Sequence, residues 1–204
     1  EIEIPSVRNA RRRRRCRRDP AIFLETYFPD IFYNPFSTTQ LKMIRAFQSC
    51  IELVGWEALA AERGGGKTNI GLGLSIFALV YGLRRFGMVL GANATEAARN
   101  AGDITIKFED RARWPHFSAD FPEICTPVQA LQGAPQRARQ MAYKGSLLNM
   151  KWSSEMIRFP TVPGSESSGA ILLSRGLDSA IRGTQFTGQR PDLIILDDPE
   201  TADS

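Results

Sequence analysis

The sequence predicts an α/β fold, with a mostly parallel sheet flanked by helices, on three observations. A three-glycine loop, Gly64-Gly65-Gly66, stands between a short apolar run and a longer one. Strand-like and helix-like stretches then alternate, which is the pattern of a parallel, doubly wound sheet. Late in the chain, Asp192-Leu193-Ile194-Ile195-Leu196-Asp197-Asp198 sets four consecutive apolar residues before a pair of carboxylates. That run reads as a strand buried on both faces, as parallel sheets require.

With 204 residues, 43% of them hydrophobic and 24% charged, the chain has the composition of an ordinary globular domain able to bury a core. The expected organisation is an arginine-rich arm over 1–18, a helical lead-in over 19–54 and an α/β core over 55–204. The net charge of +4 is concentrated in the arm: residues 1–18 hold eight arginines against Glu1 and Glu3, an excess of six, so the remainder carries a net −2. Such a run repels itself, and it reads as disordered or as a solvated helix end. Its role is open between a flexible basic arm and a contact to DNA phosphates or to an acidic partner protein.

Asp19-Pro20 starts an ordered segment, since Asp caps helices and Pro suits their first turn; a short helix is expected over Ala21 to Phe28. An amphipathic helix follows over Leu41 to Leu53, with Thr38 or Thr39 as its N-cap. Gln40 lies in its first turn. A carboxamide offers one donor and one acceptor, the pair that the adenine amino group and N7 require. Gln40 therefore reads either as an ATP selector, with Phe36 or Tyr33 against the ring, or as a helix-start glutamine in water.

The glycine loop reads as a phosphate-binding loop, and hence as the site of an NTPase. Glycines let successive backbone N–H groups turn inward with no Cβ in the way. Lys67 would reach the β- and γ-phosphates, and the Thr68 hydroxyl would bind the Mg2+ that bridges them. Trp56 to Ala61 is the expected preceding strand, and Asn69 to Tyr81 the following buried helix, whose N-terminal dipole favours negative charge. The common pattern G-x-x-x-x-G-K-[ST] places glycine where this chain has Ala61.

Phe86 to Ala92 is the next expected strand, and a helix follows from Thr95 to about Arg113. Residues 114–149, rich in Pro and Gly, suggest little regular structure. Lys151 to Phe159 and Ala170 to Ser174 read as strands. At the end of the 192–198 run, Asp197 is placed to hold Mg2+ together with Thr68, and Asp198 or Glu200 to orient an attacking water.

Three dispersed cysteines, Cys16, Cys50 and Cys125, suggest neither a disulfide framework nor a zinc site, which fits a reducing, intracellular setting. His116 is the single histidine, so arrangements that need two are excluded. No run is long enough to span a membrane, and no secretory signal is seen.

With Gln40, Glu62-Arg63-Gly64-Gly65-Gly66-Lys67-Thr68, Ile181-Arg182-Gly183 and Gly188-Gln189-Arg190-Pro191-Asp192-Leu193-Ile194-Ile195-Leu196-Asp197-Asp198-Pro199-Glu200 in this order, residues 20–204 resemble the ATPase domain of large terminase subunits, the DNA-packaging motors of tailed bacteriophages. The resemblance implies a P-loop NTPase of the additional-strand (ASCE) type with ATP and Mg2+. It makes Arg63 an arginine finger in cis. It implies a homo-oligomeric ring in the host cytoplasm, at the portal vertex of a procapsid, that pumps double-stranded DNA and works with a portal protein and a small terminase subunit. It also implies a C-terminal nuclease, which nothing here matches, and a strand after Asp198 lying between the two Walker strands. The chain begins with Glu1 and stops just past the second motif, so it reads as a fragment with a gap in its sheet. The alternatives are a helicase-like ATPase of the same superfamily and a non-hydrolysing nucleotide-binding assembly fragment.

Overall fold

The computed structural model describes residues 1–53, 55–58, 64–177, 184–186 and 188–197. The arginine run is a helix, α1 (Ala10–Arg18), started by Asn9, whose Oδ1 accepts the Arg12 N–H at 2.8 Å. This differs from a disordered arm, and the reason is tertiary. Asp120, wholly buried, accepts from Arg12 Nε at 2.6 Å, Arg12 Nη2 at 2.9 Å, the Tyr27 hydroxyl at 3.0 Å and the Asn9 N–H at 3.1 Å. Arg13 reaches Glu123 at 2.6 Å and lies over the Phe121 ring, while Arg17 pairs with Glu166. Carboxylates on other elements thus offset the self-repulsion that the local sequence suggests.

Next comes α2 (Pro20–Tyr27), with Asp19 capping the Ala21 and Ile22 N–H groups as its sequence predicts. Then comes α3 (Thr38–Glu52), whose N-cap is Ser37 rather than Thr38 or Thr39. Ser37 and Gln40 bond each other's backbones in a capping box, a pairing that Thr at the cap would place one residue out of step. Residues 56–58 of the expected strand over Trp56 to Ala61 are irregular, and 59–61 lie outside the described residues.

The helix α4 (Lys67–Val80) is apolar all round, and Ile70 to Val80 are all buried. Gly73 makes its contact with α2 possible: a Cβ there would stand 2.4 Å from Leu24 Cδ2. Phe23, Tyr27, Phe77, Tyr81, Phe117 and Phe121 pack edge to face around this crossing.

After α4 come β1 (Phe86–Gly91), α5 (Ala94–Glu109, capped by Asn93), α6 (Pro115–Asp120) and α7 (Pro122–Ala130). A 3-10 turn over Pro135–Gln140 precedes a small hairpin of β2 (Ala142–Tyr143) and β3 (Ser146–Leu147). Residues 114–149 are therefore more regular than expected. Prolines at the first helical positions of α6 and α7 start these helices rather than break them.

The main sheet has five strands, and it is mixed where the sequence suggests a mostly parallel one. Lys151 to Phe159 is not one strand. It folds back at Ser153 into β4 (Lys151–Trp152) and β5 (Met156–Arg158), an antiparallel pair, and β5 runs antiparallel to β6 (Ile171–Gly176). β6 and β7 (Leu193–Leu196), on either side of β1, pair parallel with it, giving the order β4-β5-β6-β1-β7 in which β5 alone runs the other way. A three-residue connection such as 153–155 allows only an antiparallel return, whereas the helix-bearing connections allow parallel pairing.

Both α4 and α5 cover the sheet face that carries Val89, Ser174 and Ile195: a Cβ on Gly71 would lie 3.6 Å from Ile195, and the Ser174 hydroxyl donates to Ala97 O of α5 at 2.6 Å. On β7, Leu193 and Ile195 are buried but Ile194 is 57% exposed and Leu196 51%. Burial on both faces was expected. Among the described residues β7 pairs only with β1, which makes it an edge strand.

Candidate functional site

The candidate site lies where the start of α4 meets the end of β7. Gly64 and Gly66 hold φ of +81° and +78°, the left-handed region that glycine enters without strain, and they bring the chain onto the first turn of α4. Whereas Ser37 and Asn93 cap α3 and α5, α4 starts on Gly66 with no side chain bonded over its first N–H groups. Those donors and the helix dipole favour an anion there. Lys67, the first helical residue, lines a cleft of about 530 Å³ between α3, α4 and β7, together with Thr68 and Asp197. A volume of that size falls in the range of small-molecule sites.

The structure brings together two groups that the sequence nominated from opposite ends of the chain. The Thr68 hydroxyl donates to Asp197 Oδ1 at 2.9 Å across 129 positions. Asp197 is held there by the ladder, since its N–H donates to Leu90 O at 2.9 Å and so continues the β1–β7 pairing by one residue. Two neighbouring ligands of an octahedral Mg2+ at 2.0–2.1 Å stand about 2.9 Å apart, so the spacing of this pair fits that ion. Among the described residues no three His, Cys, Asp or Glu side chains cluster as an all-protein metal cage.

Asn100 is a member of the site that sequence reasoning missed. It is 1% exposed on α5, its Nδ2 lies 3.4 Å from Asp197 Oδ2, and its Oδ1 is buried without a hydrogen-bond partner. A signal was present: Asn100 falls on the apolar face of α5 formed by Ala97, Ala101 and Ile104, where a buried carboxamide needs a partner from elsewhere.

Gln40 also reaches the site, from α3. Its Nε2 donates to Gly65 O at 3.2 Å while its Oε1 accepts the Ser37 N–H at 2.9 Å, so the carboxamide ties the glycine loop to the cap of α3. An adenine bound by both atoms of this carboxamide would have to displace the Ser37 bond. Phe36 packs against Phe32 with the rings tilted, and Tyr33 is 76% exposed. Arg63, Asp198, Glu200 and the Ile181-Arg182-Gly183 element lie outside the described residues. His116 is an exposed residue of α6, all three cysteines are unpaired thiols, and no described helix is long and apolar enough to cross a membrane.

Compared with known protein families, curated proteins and solved structures, the chain matches none of them.

Proposed function

We propose that this chain is the ATP-hydrolysing part of a DNA-packaging motor of the terminase type. The observation that carries the reading is the Thr68–Asp197 contact beneath a glycine-led helix start that no side chain caps: a hydroxyl and a carboxylate at magnesium-ligand spacing, beside a lysine and the helix's first N–H groups. In this reading the backbone N–H groups of 64–68 and Lys67 hold the β- and γ-phosphates. Thr68 and Asp197 would hold Mg2+, which would supply positive charge to offset that developing on the phosphate oxygens. Asn100 keeps the Asp197 carboxylate turned toward Thr68. A carboxylate at 198 or 200 orients the attacking water, and Arg63 meets charge on the transferred phosphoryl group. Coupling to double-stranded DNA, the ring of subunits, the portal protein and the small terminase subunit rest on the motif order given above.

The test is Mg2+-dependent ATP hydrolysis by the protein and by Lys67→Ala, with and without double-stranded DNA. Hydrolysis that falls at least about a hundredfold in the variant supports the assignment. A variant retaining most of the activity overturns it, and nucleotide binding without hydrolysis in the parent selects the assembly-fragment reading.

A further inference from the structure

We infer that the outer face of α1 is a binding surface for the phosphate backbone of duplex nucleic acid. The inference deepens the proposed function, because it names where the duplex is held, but it stands on different residues. The fold divides the arginines of α1 between two faces. Arg12 and Arg13 turn inward to Asp120 and Glu123, and Arg17, itself exposed, is neutralised by Glu166 at the surface. Arg11, Arg14, Arg15 and Arg18 are exposed, with no ion pair among the described residues. At 100° per residue these four fall within about 100° of arc, and at 1.5 Å per residue they form a row about 10 Å long. Arg8, also exposed, precedes the row.

Like charges three and four residues apart weaken a helix, so a row of four is a cost that the local sequence does not relieve. The inward pairs and the Asn9 cap hold the helix in spite of it, and they present the outer guanidiniums from a rigid base. A preorganised row loses little freedom when it meets a partner. The partner's chemistry follows from what the face lacks. None of the large exposed hydrophobic residues lies on α1, so a protein partner would find charge but no apolar surface to bury. A phosphate backbone requires only charge and donors, and a guanidinium supplies both, bidentately where geometry allows.

The experiment is the anisotropy of labelled duplex DNA of two unrelated sequences, titrated with the protein without nucleotide or Mg2+, between about 50 and about 200 mM salt. The variant is Arg11→Ala/Arg14→Ala/Arg15→Ala/Arg18→Ala, with the corresponding fourfold Arg→Lys protein as charge control. Each phosphate contact adds about −0.9 to the slope of log affinity against log salt. The alanine variant should therefore flatten the slope by about 3 to 4 for both sequences, and the lysine variant should restore most of it. All four positions are exposed and alanine favours helix, so far-ultraviolet circular dichroism should be unchanged. An unchanged slope and affinity in a folded alanine variant overturns the inference, as does displacement of the duplex by an equal charge of polyglutamate, which selects an acidic protein. Hydrolysis by the parent protein separates the two readings: a parent that binds duplex through the row but never hydrolyses ATP keeps this inference and loses the proposed function.

Discussion

Removing Arg12 tests whether the arginine helix belongs to the folded domain. Asp120 is fully buried and accepts four hydrogen bonds, two of them from the Arg12 guanidinium at 2.6 and 2.9 Å. Arg12→Ala leaves this carboxylate with only the Tyr27 hydroxyl and the Asn9 N–H, and stranding one partner of a buried ion pair costs about 3–5 kcal/mol. That is a large part of the roughly 5–15 kcal/mol that stabilises a domain. Tyr27→Phe removes a single bond to a charged acceptor and should cost about 1.5–3 kcal/mol. Arg12→Met/Asp120→Leu removes both charges together, so it should cost less than Arg12→Ala alone. Urea unfolding followed by tryptophan fluorescence measures all three, and limited trypsin digestion adds a local readout, since a docked helix shields the bonds after Arg11 to Arg18. The parent should resist cleavage there and Arg12→Ala should not. A cost under about 1 kcal/mol for Arg12→Ala, with equal cleavage of the two proteins, would refute the docking of α1.

Two further predictions concern buried polar side chains. Lys107 is 4% exposed, donates to Asp103 O, and lies near the Phe28 and Trp114 rings; burial lowers its pKa from 10.5 to about 8. Between those two values the unfolded chain binds the proton that the folded one has lost, so stability should rise with pH from about 8 to about 10.5. Lys107→Met should accordingly stabilise the protein by about 2–3 kcal/mol at neutral pH, from the size of that shift, and the gain should fade by pH 10.5; a gain independent of pH would contradict the cause. Asn100→Ala should raise the Mg2+ concentration needed for nucleotide binding about tenfold, as loss of an outer partner of a metal ligand does, with little change in the urea midpoint. Unchanged Mg2+ dependence would remove Asn100 from the site.

Much of the local structure was legible because its signals lie within a few residues. Asp19-Pro20 starts α2, the apolar run after the glycines makes α4, and the alternation of strand and helix yields β1, α5 and β7 nearly where expected. Ends moved by one to four residues: α3 starts at Thr38, capped by Ser37, rather than at Leu41, and α5 stops at Glu109 rather than near Arg113. The split of Lys151 to Phe159 was not legible: an apolar count suggests one strand, and only the return at Ser153, which bonds Met156, makes two.

Within the candidate site, residue type and spacing nominated Lys67, Thr68 and Asp197. Their juxtaposition did not, because a 129-residue separation is closed only by the register of β7 on β1. The sequence alone determined where the three-glycine loop, Lys67, Thr68 and the Asp197 carboxylate stand along the chain and which stretches prefer helix or strand, since these depend on neighbours along the chain. Only the tertiary structure decided that Asn100 faces Asp197, that Gln40 ties down the glycine loop, and that three arginines of α1 are paired with carboxylates while four face solvent unpaired. A buried charge or carboxamide takes whatever partner the packing brings to it, and that partner can come from any distance along the chain.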